Sequence, residues 1–205
     1  GARGPRRGHP GEHVQGDEFH LIVHQDEPAD QARTRALLPD CEVIGGDQRS
    51  GFAGAIRRAW AHAAQPRFDR FDWVFHLEGD FTFNRKVNVQ QLQITLDSHP
   101  ELAQMAFRRQ PWNQAERDAG GVVELNPQAF KQITNAFGWS WLHHRLFFTT
   151  NPSLYRRDLL SARWPSQAKS EGLFTAKLRD RGLPWGVPGP MVEFGYWGHR
   201  DDLPW

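Results

Sequence analysis

The sequence predicts an α/β protein with a mostly parallel sheet flanked by helices. Three observations lead there. Short β-rich apolar runs alternate with stretches of helical period, and the runs end in polar clusters. The aromatic content, 12% with nine Trp, is enough to fill a core. Such sheets bind ligands beyond the carboxyl ends of their strands, where the polar clusters fall.

The elements follow in order. Residues 1–17 are rich in Gly, Arg, Pro and His without periodicity, and are expected as a flexible tail before a single domain over 18–205. Phe19–His24 is a brief strand closed by Gln25-Asp26-Glu27-Pro28, and a short helix fits Asp30–Leu38. Cys41–Ile44 is a second strand, ended by Gly45-Gly46. Phe52, Ile56, Ala59, Trp60 and Ala63 then fall at helical spacing, with Ser50 placed to cap. Phe71–Leu77 is the best strand and stops at Glu78-Gly79-Asp80. Val89–Ser98 forms a helix entered from Asn88, and Leu102–Arg108 another strand. Residues 110–145 have no clean period. Phe147–Thr150 resumes strand character, Asn151-Pro152-Ser153 turns, Leu154–Leu160 suggests a helix, and Glu171–Arg181 an amphipathic helix stopped by Gly182. There is no internal repeat.

Composition excludes several classes. With 205 residues, 39% of them apolar, and a mean hydropathy of −0.68, no run approaches the roughly 20 apolar residues that cross a bilayer. No leader of secretory type opens the chain, so a cytoplasmic place is expected. The single Cys41 excludes an internal disulfide framework and a cysteine-rich zinc site. The net charge of +1 argues against a coat for nucleic acid, yet the 25 basic residues include only four Lys. The Arg excess supplies planar forks for phosphate or carboxylate, although GC-rich coding is the main explanation for it.

Glu78-Gly79-Asp80 is the strongest chemical signal. Two carboxylates this close raise each other's pKa unless a cation intervenes. At about 4 Å and an effective dielectric near 20, each unit-charge pair is worth roughly 4 kcal/mol, so a divalent ion would relieve them and could hold a diphosphate. A solvated turn after a strand is the plainer alternative. His143-His144, adjacent rather than four apart, cannot form the helical zinc pair and is expected at the surface.

The stretch Phe71–Phe83 (FDWVFHLEGDFTF) resembles the strand and acidic "DxD" element of GT-A fold glycosyltransferases, especially the family-2 type. Gly45–Trp60 (GGDQRSGFAGAIRRAW) is similar to that family's loop and helix, and Phe147–Leu160 (FFTTNPSLYRRDLL) to its later strand-turn-helix. Ser170-Glu171 stands where the family has an acidic pair opening a helix. The Arg- and Trp-rich texture is also similar to glycosyltransferases encoded by actinobacterial phages. The resemblance implies a GT-A sheet, a nucleotide-sugar donor (a UDP-sugar), and Mn²⁺ or Mg²⁺. Asp80 and His199 would hold the metal. Asp26, Arg57, Arg58 and Glu78 would bind the nucleotide-sugar, and Glu171 would be the catalytic base of an inverting transfer. Arg108, Arg109 and Trp112 would bind the acceptor, a hydroxymethylated pyrimidine in phage DNA, with Arg156-Arg157 as further phosphate contacts.

Three departures accompany the likeness. Nothing before Phe19 resembles the family's first strand, Ile56 stands where its Arg falls, and one carboxylate of the acidic pair is Ser170. Two other readings stay open: a nucleotidyltransferase, and a non-catalytic nucleic-acid- or sugar-binding module on the same fold.

Overall fold

A computed structural model describes residues 14–15, 19–83 and 86–197. The strands are β1 (Val14–Gln15), β2 (Ile22–His24), β3 (Glu42–Ile44), β4 (Trp73–His76), β5 (Val87–Asn88), β6 (Leu102–Phe107), β7 (Phe130–Thr134), β8 (Ser140–His144), β9 (Ser153–Arg156) and β10 (Glu193–Trp197). The helices are α1 (Gln31–Leu37), α2 (Gly51–Ala63), α3 (Val89–Ser98), α4 (Gln114–Ala119), α5 (Val122–Leu125) and α6 (Ser170–Arg181). Six strands form the main sheet in the order β4-β9-β6-β10-β8-β7, while β2-β3 and β1-β5 are separate parallel pairs.

The class is α/β, but the main sheet is mixed and mostly antiparallel rather than mostly parallel. Only β6 and β10 pair in parallel there. β9 runs against both β4 and β6, and β8 pairs antiparallel with β10 and β7. The expectation failed because the strand–helix alternation that implied crossovers ends after β6. Short strands that leave no such rhythm fill the rest, with β9 inserted between β4 and β6 and β10 between β6 and β8.

Two apolar layers clasp the sheet. On one face Ile56 and Trp60 of α2 and Phe174 and Leu178 of α6 pack on Tyr155, Phe148 and Phe194. On the other, Val89, Leu92 and Leu96 of α3 pack on Met105, Leu154 and Trp141. Trp60 is the hub of the first layer, with ring centroids 5.2–6.4 Å from Phe174, Trp164, Tyr155 and Phe148. Between Glu193 and Gly195 the register of β10 slips from Leu102 to Met105, a bulge in β6. It lets Leu102 and Met105 serve the same layer despite their odd spacing.

Several expected elements differ. Leu154–Leu160 is not a helix: it is strand β9 followed by a 3₁₀ helix over Arg157–Ala162. Leu154 belongs to one layer and Tyr155 to the other, and such a doubly buried run has no period to separate strand from helix. Phe147–Thr150 is irregular backbone. Val14–Gln15, inside the expected tail, pairs with β5. Ser50 does not cap α2 with its side chain, whereas Asn88 caps α3 by accepting from Gln91 N–H at 3.2 Å. Gly182 does end α6. Its φ of 82° suits glycine, and a Cβ there would meet the Val187 carbonyl.

Candidate functional site

The carboxyl end of β4 delivers Glu78 and Asp80 into a turn, and the first turn of α6 delivers Glu171. A third segment joins them. Residues 147–151 have no ladder of their own and are tied sideways instead. Phe148 N–H donates to Thr175 Oγ1 at 2.8 Å. With its amide turned to suit, Gln104 accepts from Thr149 N–H and donates to Thr149 C=O, both at 3.0 Å. Thus held, Thr150 donates its N–H (2.7 Å) and hydroxyl (2.9 Å) to Glu171 Oε1. Those two bonds fix the Glu171 side chain, and among the described residues its second oxygen has no hydrogen bond.

Glu78 registers the result. Burial, then the charges of Asp80 and Glu171, push its carboxyl up to about 7, and the neighbouring Thr150 hydroxyl offsets part of the rise. Three carboxylates from two distant segments of the chain therefore meet at one end of the sheet. The set is an open concentration of negative charge. No three of these oxygens approach within 4.8 Å, a closeness reached among the described residues only by His99, Glu101 and His143. Mg²⁺ and Mn²⁺ tolerate such a site, because one or two carboxylates suffice when phosphate and water complete the shell. Asp80, exposed, and half-buried Glu78 would be the protein's ligands.

The other expected site residues fare differently. Asp26 is spent on structure. Its Oδ1 accepts from Ser50 N–H (2.8 Å) and hydroxyl (2.5 Å), and its Oδ2 from Gly51 N–H (2.9 Å). It caps α2 from a preceding loop, a role that sequence spacing concealed. Arg58 packs over Gly46, where a Cβ would lie 2.6 Å from its guanidinium, and its Nη1 is buried without a partner. Arg57 points elsewhere, into a cavity of about 490 Å³ between α2 and α6 that also receives Arg163, Lys177 and Arg181.

On the acceptor side, Arg108 is 5% exposed and binds both oxygens of Glu124 at 2.7 and 2.8 Å. Arg109 pairs with buried Glu116, which also accepts from Trp112 N–H. Trp112 itself is 76% exposed, its ring under the Arg109 guanidinium at 5.8 Å. Arg156 and Arg157 are committed to Asp97 and Asp69 at 2.6 and 2.8 Å. His199 lies outside the described residues. His143 and His144, expected at the surface, are buried: β8 is an interior strand, so one imidazole enters each apolar layer. Neither the Thr150 clamp nor the Asp26 cap was anticipated, and no spacing rule would have found either.

Comparison with known proteins adds no identity, since no family profile and no curated protein matches the chain. No helix among the described residues is long and apolar enough to cross a membrane.

Proposed function

We propose that this protein is a metal-dependent glycosyltransferase of GT-A type, moving a sugar from a nucleotide-sugar donor to an acceptor hydroxyl. One observation carries the reading: Glu78 and Asp80 after β4 and Glu171 on α6 meet at one end of the sheet, where burial and then the charges of the other two carboxylates push Glu78 up to about 7. A strongly perturbed carboxyl grouped with two others at the carboxyl end of a strand supports a working site. The GT-A sheet would be built from β4, β6 and β10, which run in one direction, together with the β2-β3 pair.

In this reading the free oxygen of Glu171 takes the proton from the acceptor hydroxyl as the new glycosidic bond forms. The Thr150 clamp keeps that carboxylate aimed. Asp80 and Glu78 form the donor end, and a bound Mn²⁺ or Mg²⁺ would neutralise the departing nucleoside diphosphate. Exposed Trp112 offers an acceptor a ring to stack on. Arg108 and Arg109 shape that wall through Glu124 and Glu116 rather than meeting phosphate directly.

The deciding experiment is a thermal-shift screen of nucleoside diphosphates with and without Mn²⁺, followed by hydrolysis of the stabilising nucleotide's sugar conjugate. Metal-dependent stabilisation and turnover, both abolished in Asp80→Ala, are expected. A second reading, a nucleic-acid-binding module, draws on the cavity where Arg57, Arg163, Lys177 and Arg181 meet without an acid among its lining residues. Stabilisation by DNA alone, indifferent to metal and to Asp80→Ala, would favour that module and count against the transferase.

A further inference from the structure

At the opposite end of the sheet from Glu78 stands a second polar cluster. β6 is six residues long, so its two ends are about 20 Å apart at the usual rise of a strand. Its far end is entered through the turn His99-Pro100-Glu101. That turn is fixed by its backbone: Trp185 Nε1–H donates to Pro100 C=O at 2.7 Å, and Glu193 N–H to Glu101 C=O at 2.9 Å. His143 of β8 faces it, its ring centroid 5.2 Å from that of His99. One ligand atom from each of His99, Glu101 and His143 lies within 4.8 Å of the other two.

The protonation pattern suits a metal. Glu193 Oε2 sits 2.9 Å from His143 Nδ1, and a carboxylate only accepts, so the proton is on Nδ1. Nε2 is then left with a lone pair, and that atom is buried with no hydrogen-bond partner. The other oxygen of Glu193 is held at 2.9 Å by Arg145, which locks the carboxylate behind the histidine. A carboxylate behind an imidazole whose far nitrogen is free is the usual outer support of a metal-bound histidine.

We propose that His99, Glu101 and His143 form a zinc site, oriented by Glu193 and separate from the carboxylates of the candidate active site. Two imidazoles and one carboxylate suit Zn²⁺ better than Mg²⁺ or Mn²⁺, and the fourth position of the tetrahedron falls to water. With zinc bonds near 2.0–2.1 Å the ligand atoms need to be about 3.4 Å apart, within reach of small side-chain rotations. The ion would pin the α3–β6 turn to β8 and, through Glu193, to β10.

The test uses the full chain, tag-free and stripped with chelator, titrated calorimetrically with ZnCl₂, with Co²⁺ as an absorption probe of tetrahedral geometry. One equivalent of Zn²⁺ per chain is expected, with a tetrahedral Co²⁺ spectrum. Affinity should drop at least tenfold in the His99→Asn and Glu101→Gln variants, and 10- to 100-fold in Glu193→Gln. His99 and Glu101 are only partly buried but are hydrogen-bonded to each other at 2.9 Å, so their variants should melt a little below the metal-free parent yet remain folded, whereas replacing buried His143 risks the fold. A Glu78→Gln/Asp80→Asn variant should bind Zn²⁺ at this site unchanged. Equal binding by the parent and a His99→Asn/Glu101→Gln double variant would overturn the proposal. So would binding lost only when Glu78 and Asp80 are replaced.

Discussion

Glu78 has the most consequential side chain in the molecule, and its behaviour with pH follows from its sign. Its folded value of about 7 exceeds the ordinary 4.5, so the native state prefers the protonated form. Stability from this group is fully present below pH 4.5 and is lost as pH rises through 7. Glu78→Gln should therefore raise the melting temperature at pH 8 and leave it nearly unchanged at pH 4, as differential scanning fluorimetry would reveal. Glu171→Gln should bind donor nucleotide normally yet slow transfer by about 10²- to 10⁴-fold, measured as kcat in a sugar-transfer assay. Asp26 separates cap from ligand. Asp26→Ala should cost about 1 kcal/mol in urea denaturation through the lost α2 cap and leave nucleotide affinity unchanged. The pairing of Glu78 with Asp80 was legible from a spacing of two at a strand's end. The purpose of Asp26 was not, because a carboxylate before a turn looks the same whether it meets a ligand or a helix end.

Among the elements, α2 and α3 could be read from their apolar period, since each buries one stripe and leaves the other wet, whereas α6 buries Phe174 and Leu178 but leaves Leu173 exposed. Trp60 is the anchor of α2, touching four aromatic rings. Trp60→Ala should destabilise by about 3–5 kcal/mol in urea, whereas Arg57→Ala, on the exposed side of the same helix, should change stability by less than about 0.5 kcal/mol. Strands β7 to β10 escaped the pattern for a different reason. β9 is buried on both faces, so Leu154 and Tyr155 are both apolar and the alternation that marks a strand disappears. β8 places Trp141 and His143 against one layer and His144 against the other, which makes a histidine pair look like surface in the sequence. Only its neighbours on both sides bury it.

The molecule as a whole stores an acid sensitivity in its buried imidazoles. Burial lowers His76 to about 4, and burial followed by the neighbouring His143 and Arg179 lowers His144 to about 3. Both are neutral when folded and would take a proton once unfolded. Their stabilising effect is complete above pH 6.5 and declines as pH falls through 4 and 3. Urea midpoints should thus fall between pH 6.5 and 4, and His76→Gln should flatten that part of the curve. Across the sheet the chain keeps two polar centres apart: carboxylates beyond the carboxyl end of β4, and imidazoles with Glu101 at the entrance to β6. Local pattern was enough for the α/β class, the three long helices, the early strands and the acid pair after β4, because those depend on periods and spacings among neighbours. Folding itself settled the antiparallel insertion of β9, the clamp of Thr150 on Glu171, and the meeting of His99 with His143. Strand order and register are chosen by which faces bury together, and a period in one segment carries no information about its partner.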